Sequence, residues 1–383
     1  IMDNLKISRL KKNDCTELVE FLNGVFTQQN GFEMHFEDLY PRIFRPSDRT
    51  MGWHLAAKKE GKICGTVAAY PFVYNLGERK LKAASVGNVA VDMKCREEGI
   101  MQQLMKRLCA ECEAEGIDLC YLHGDRWRYR HFGFERCGKE ICFHIKTSML
   151  REDNTNVNYK FSALEKDNSI LTDKLYEYYV TQKNYEERKK EDIYYAMTAK
   201  GNTAYVIFDG NTVEGYITVS ADKGTVAEIS IRNSKAFAGI IKSYMREFNR
   251  EIVYINVPEY SGITEEAFKY ADRYIAFQSG NFLVLNFKNV IEAYMPKKRN
   301  FRNLPDGEIS IDSEIFGKWC IKKEGDTVEA NLFDGEADFT VKGYDIYQFL
   351  FGTLPLPVNC NDIQKAALAR AWLPVPLYCP YLS

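Results

Sequence analysis

Between Val89 and Met105 the chain reads VAVDMKCREEGIMQQLM, an apolar run that breaks into a charged turn and restarts at a glycine. Ile100, Met101, Leu104, Met105, Leu108 and Cys112 recur on one helical face, which predicts a helix starting at Glu98 or Gly99. A helix start presents amides without intrahelical acceptors and the positive end of the peptide dipole, the two ingredients of a phosphate site. Gly99 lets a ligand approach the backbone closely. The turn lacks the G-x-x-x-x-G-K-[ST] of a Walker loop and the G-x-G-x-x-G of a dinucleotide fingerprint. Residue types alone therefore leave a capped helix without a ligand as an equal alternative. Glu97 and Glu98 stabilise a first turn but oppose a bound diphosphate unless they point outward, and outward is the expectation.

A second pattern, Cys109-Ala-Glu-Cys112, invites a metal or redox reading. A zinc site needs another paired motif at suitable spacing, and none follows. A redox pair sits at a helix start, whereas this one falls deep inside a helical pattern. Buried, inert cysteines are the expectation, with no metal.

Around these residues the chain lays out one mixed plan twice. His54–Tyr70 reads strand, EGK turn, strand, and Tyr205–Ser220 repeats it around DGN. Each hairpin leads to a further strand, near 84–91 and 225–231, and then to a helix, Gly99–Ala114 and Ser234–Phe248. Each helix is followed by another strand, IDLCYLH or EIVYINV. The polar stretch SMLREDNTNVN, near 148–160, is the expected link. After PKKR the short alternating runs GEISIDS, KWCIKK, TVEANLF and ADFTVKG predict an antiparallel sheet flanked by the helices of YDIYQFLFG and CNDIQKAALARAW. The expected class is α/β (α+β), in units 1–150, 151–292 and 293–383.

Bulk properties narrow the function. With 383 residues the chain is too long for one core. A net charge of −2 and a pI near 6.3 disfavour general binding to nucleic acid or anionic membranes. No apolar run suits a bilayer or a signal peptide, and eleven irregularly spaced cysteines suit a reducing, cytoplasmic setting.

The turn at Arg96–Met101 resembles the pyrophosphate loop of GNAT N-acetyltransferases, [RQ]-x-x-G-x-[GA]. Arg96 and Gly99 match, and Met101 replaces the usual small residue. Downstream, GDRWRYRHFGFERCG sets Tyr129 shortly before Phe132-Gly133-Phe134, similar to the general-acid tyrosine region of that family. The tandem plan and the third unit sharpen the resemblance to the enhanced-intracellular-survival (Eis) acetyltransferases, which join an active GNAT domain, a degenerate one and a sterol-carrier-like domain. The likeness spans the whole chain but rests mainly on Val89–Gln102, Gly124–Phe134 and the final LPVPLYCPYLS.

That resemblance implies acetyl-CoA as co-substrate, with the backbone of Arg96, Glu97, Glu98, Gly99, Ile100, Met101 and Gln102 around its diphosphate. It sets Val89, Ala90 and Val91 along the pantetheine arm and the oxyanion, and Gly124 and Asp125 near the cofactor. Tyr129 would protonate the leaving thiolate, since a phenol stays protonated at neutral pH. No internal base stands out, His123 and His131 being more simply structural. The family instead uses the C-terminal carboxylate, here that of Ser383. The tail AWLPVPLYCPYLS is apolar and stiffened by Pro374, Pro376 and Pro380, so it is expected to dock. The second copy, EISIRNSKAFAGII, lacks R-x-x-G and is expected to bind no cofactor. The implied acceptor is a small cationic amine or a lysine side chain, and the implied assembly a homo-oligomer. The alternatives are a different acyl donor, as in N-myristoyltransferases, and a catalytically weak scaffold holding an apolar ligand in its C-terminal domain.

Overall fold

The computed structural model describes residues 5–150, 158–357 and 360–380. The first sheet is built from β1 (Leu5–Arg9), β2 (His54–Lys59), β3 (Lys62–Leu76), β4 (Arg79–Val91), β5 (Leu119–Leu122) and β6 (Glu135–Cys137). β1 to β4 form an antiparallel meander, and β5 joins β4 in parallel after a crossover helix. β3 is buried along most of its length because helices and the rest of the molecule cover both its faces, which is why its sequence runs apolar without alternation. Glu60 and Gly61, both at positive φ, make the two-residue turn that joins β2 to β3 with the strands' own twist.

The second sheet has the order β14-β7-β13-β12-β11-β10-β8. Its members are β7 (Glu140–Lys146), β8 (Lys160–Ala163), β10 (Thr203–Asp209), β11 (Thr212–Val219), β12 (Thr225–Ile231), β13 (Ile252–Val257) and β14 (Arg273–Phe277). The short β9 (Asn184–Glu186) pairs instead with β3. β15 (Gly280–Val284) leaves the second unit and inserts between β5 and β6. β7 crosses the other way, from the first unit into the second sheet. Sheet membership therefore crosses the boundary expected at 150, and β15 crosses back before 292. The expected link near 148–160 falls largely outside the described residues.

The third unit contains β16 (Gly307–Ser313), β17 (Gly317–Glu324), β18 (Thr327–Leu332) and β19 (Phe339–Val341), in the order β18-β17-β16-β19. β16 and β19 are parallel, which corrects the expectation of a purely antiparallel sheet. The chain between β18 and β19 passes to the far edge of the sheet, a rearrangement that short alternating runs cannot reveal. One core cluster joins this unit to the first, from Leu18 and Tyr121 to Ile309, Tyr347, Trp372 and Leu377.

Candidate active site

β4 and β5 pair over only three positions, Ala83–Leu119, Ala84–Cys120 and Ser85–Tyr121. β4 then runs on to Val91 while β5 ends at Leu122, so the strands part and leave an open edge along β4. A bulge lies in that free stretch. Thr66 pairs with Ala90 and Ala68 with Gly87, leaving Asn88 and Val89 opposite Val67. Asn88 adopts a φ of +51° and donates from its side-chain amide to the Tyr70 hydroxyl at 2.5 Å. The same amide nitrogen lies 3.1 Å from His54 Nε2. His54 Nδ1 lies 3.1 Å from the Thr50 carbonyl, which only accepts, so Nδ1 carries the proton and Nε2 accepts. Complete burial drives the His54 pKa down to about 4 and keeps the ring neutral. This trio, of which His54 and Tyr70 are buried and Asn88 half-buried, braces the bulge that precedes Val89–Val91. Its one trace in the sequence is Gly87-Asn88 inside a strand pattern, a bulge signal.

Beyond Val91 the chain turns through Met93–Cys95 and enters α1 (Ile100–Ala114), whose N-cap is Gly99 at a φ of +72°. The buried face of α1 is Ile100, Leu104, Met105, Leu108 and Cys112, the predicted stripe without Met101, which is half-buried. The amides of Glu97 to Gln102 find no acceptor among the described residues, which helix geometry requires of the four from Gly99 to Gln102. A Cβ on Gly99 would meet no atom within 4 Å, so the backbone there faces open space. Arg96, Glu97, Glu98 and Gly99 are all exposed. Glu98 is held by an ion pair to Lys59 at the end of β2, and Glu97 sits at a φ of +69°.

Cys109 and Cys112 lie in the body of α1, as expected. Burial pushes the Cys109 thiol up to about 12, which makes it a poor nucleophile.

Tyr129 lies on α2 (Arg126–Arg130), a single turn capped by Asp125, whose carboxylate accepts from the Arg128 amide at 2.7 Å. Its ring is buried in the same apolar cluster as Val86, Ile100 and Leu122, with Val89, Val91 and Met101 packed against that cluster. Gly124 is required here, since a Cβ would come within 2.6 Å of the Tyr129 ring. Burial raises the phenol's pKa above its ordinary value, so the hydroxyl holds its proton. Glu135 is fully buried and takes Arg126 at 2.5 Å and Arg130 at 3.1 Å, which ties α2 to β6. From the third unit, Tyr344 braces the same turn and α3 (Asp345–Phe351), which follows it, braces β6. The Tyr344 hydroxyl donates to the Arg130 carbonyl at 2.8 Å, and Gln348 donates to the Arg136 carbonyl at 2.5 Å.

The tail from Leu373 to Cys379 is docked. Val375, Leu377 and Cys379 are buried, and the Leu377 carbonyl accepts from the Lys139 amide at 2.8 Å. The last described residue, Pro380, accepts from the Tyr121 hydroxyl at 2.7 Å. Tyr121 forms the last β4–β5 pair, so the tail arrives where those strands part. Sequence reasoning missed Tyr121, one tyrosine among 24 with no motif around it. Ser383 lies outside the described residues. His131 is exposed, and His123 sets its ring edge-on to Tyr121 at 5.9 Å.

A family model described as an acetyltransferase (GNAT) domain matches residues 6–137. The first unit is a GNAT acetyltransferase domain. By that domain the chain is an N-acetyltransferase, a class that takes acetyl-CoA as co-substrate. A crystallised protein of Enterococcus faecalis, titled a probable N-acyltransferase, superposes with a TM-score of 0.70 at 16% identity, covering 97% of this chain and 98% of that one. A GCN5-related N-acetyltransferase from Anabaena variabilis gives 0.67 at 14% identity, over 98% of each chain. Eis1 from Mycobacterium abscessus gives 0.62 at 13% identity, over 96% of each chain. These likenesses carry the fold, and the GNAT domain is set in an architecture like that of Eis1. No curated protein sequence matches the chain significantly.

Proposed function

We propose that this GNAT chain moves an acetyl group from acetyl-CoA to a primary amine of a small cationic molecule or a lysine side chain, in the crevice where β4 and β5 part. The observation that carries this reading is the run of acceptor-free amides from Glu97 to Gln102 beside Gly99, in open space. Those amides would hold the diphosphate, while Glu98, drawn to Lys59, leaves the approach. The pantetheine arm would run along the open edge of Val89–Val91, past Gly124 and Asp125.

The amine nitrogen attacks the thioester carbonyl carbon, and charge collects on the carbonyl oxygen, which a β4 amide near the Asn88 bulge stabilises. As the tetrahedral centre collapses, the carbon–sulfur bond breaks and the proton that burial keeps on the Tyr129 phenol passes to the thiolate, so coenzyme A leaves as the thiol. The ammonium proton goes to the α-carboxylate of Ser383. Three residues can span at most about 10 Å, and the anchored carbonyl of Pro380 supports that assignment. The division 1–150, 151–292 and 293–383 is kept as the functional layout, with β7 and β15 exchanged between the first two units.

The test is steady-state kinetics on a panel of amines, with the chain end verified by intact mass. Adding one residue after Ser383 moves the carboxylate but keeps the docked surface, and turnover is expected to fall at least tenfold. Unchanged turnover removes Ser383 as base. Absence of coenzyme A binding at millimolar concentration removes the whole reading.

A further inference from the structure

The second sheet parts in the same way as the first. β12 and β13 pair in parallel only at Thr225–Tyr254 and Val226–Ile255, and then separate. Between them opens a cavity of about 1290 Å³, walled also by the segment around β9 and by Tyr378 and Pro380 of the tail. Glu140, Asn184, Thr218 and Asn256 line this cavity, and each carries a buried side-chain oxygen (Oε2, Oδ1, Oγ1 and Oδ1) with no hydrogen-bond partner among the described residues. Polar atoms in folded proteins are seldom left so, and four around one space point to something that satisfies them together.

Their chemistry limits what that is. An amide side chain can be turned over and a hydroxyl can donate, but an ionised carboxylate only accepts. Glu140 is 2% exposed and carries no ion pair among the described residues. Burial pushes its pKa up to about 7, so a neighbouring cation would restore its charge. Arg188, the guanidinium in the same wall, is already matched by Glu186 and by Glu228 at 2.9 Å. Lys200 lines the cavity as well, and burial lowers its ammonium to about 8. Tyrosine rings, Tyr178 and Tyr260 among them, supply faces suited to an organic cation.

We infer that the cavity between β12 and β13 is a second ligand site, which takes a small organic amine whose ammonium group is held by Glu140 and whose further donors reach Thr218 and Asn256. No residue of the loop at Gly99 lines it, although Pro380 borders both this cavity and the β4–β5 crevice, and the inference does not depend on the acetyl-transfer reading.

The probe is spermidine, titrated calorimetrically into the full chain at physiological salt, with 1,8-octanediol as an uncharged control of similar length. Spermidine is expected to bind, Glu140→Gln to weaken it at least tenfold, and octanediol to give no heat. Spermidine that fails to bind, that binds Glu140→Gln as well as the unaltered chain, or that octanediol matches overturns the site. Should Glu140→Gln lose its cooperative thermal transition, Asn256→Leu takes its place, with at least a threefold loss expected and an unchanged affinity overturning the site. A parallel coenzyme A titration is expected to be the same in both proteins. Its failure in the unaltered chain counts against acetyl transfer and leaves the amine site standing.

Discussion

Two crevices of one design serve this molecule differently. In each unit a parallel strand pair opens after two or three contacts, and a helix starts at the mouth. In the first unit the helix begins at an exposed, left-handed glycine, and the amides around it are free. Both mouths carry the same capped turn, in which Asp92 accepts from the Lys94 and Cys95 amides and Asn233 from those of Lys235 and Ala236, but Arg96–Gly99 separate turn from helix in the first unit and nothing does in the second. The helix Phe237–Glu247 then buries Phe237 at its first position. The second unit thus lacks the exposed glycine-led approach to its helix start that the first unit has. The same opening is left lined with unpartnered side-chain polar atoms instead. The fold supplies the cleft, and a handful of residues decide what enters it.

The sharpest break in the comparison is Tyr129→Phe, which removes the proton donor that the second unit lacks. We expect kcat to fall about 10²-fold or more, with coenzyme A affinity within twofold by calorimetry. An unchanged kcat would leave Tyr129 a packing residue.

Acid distinguishes the units next. His54 has a folded-state pKa of about 4 against 6.5 in the unfolded chain, so the unfolded state binds the proton first as pH falls. Its contribution is complete above pH 6.5 and is lost progressively toward pH 4, by about 3 kcal/mol at most. Denaturant titrations at pH 7 and pH 4.5 should show that loss, and His54→Asn should reduce it while leaving the share of His123, whose pKa burial also lowers to about 4.

Closing the first loop is a smaller effect. Gly99→Val forces a β-branched side chain into a left-handed conformation and fills the space before the amides. Coenzyme A dissociation is expected to rise about tenfold. Asn233→Ala, its counterpart, should cost about 1 kcal/mol as a lost cap and leave coenzyme A binding at one per chain. A second coenzyme A bound in either protein would erase the contrast drawn here.

Glu98→Gln is the finest test. Its charge is screened and already paired with Lys59, so coenzyme A should bind only about twofold tighter, and less at high salt. A large gain would mean that Glu98 turns inward.

Much of this was legible in the chain. The stripe from Ile100 to Cys112 and the glycine before it announced the helix and its open start, because a helix start is a local event. The hairpins at Glu60-Gly61 and Asp209–Asn211 were readable for the same reason. Tyr129 stood out only through the Phe132-Gly133-Phe134 turn after it. Hidden were the pairings between distant residues: β7 and β15 exchanged between sheets, β19 laid parallel to β16, and Tyr121 holding Pro380 across 259 positions. Glu140, in a strand that looks ordinary, gave no sign of facing a cavity.

The sequence by itself determined the repeated strand–helix plan, the glycine turn with its spare amides, and a tail too apolar to stay in water. These depend on periodicity, backbone conformation and composition, which neighbours in the chain set among themselves. The tertiary structure alone decided which strands part, where the tail is pinned and which carboxylate is left without a partner. Those outcomes come from competition among distant groups for the same space and the same hydrogen bonds.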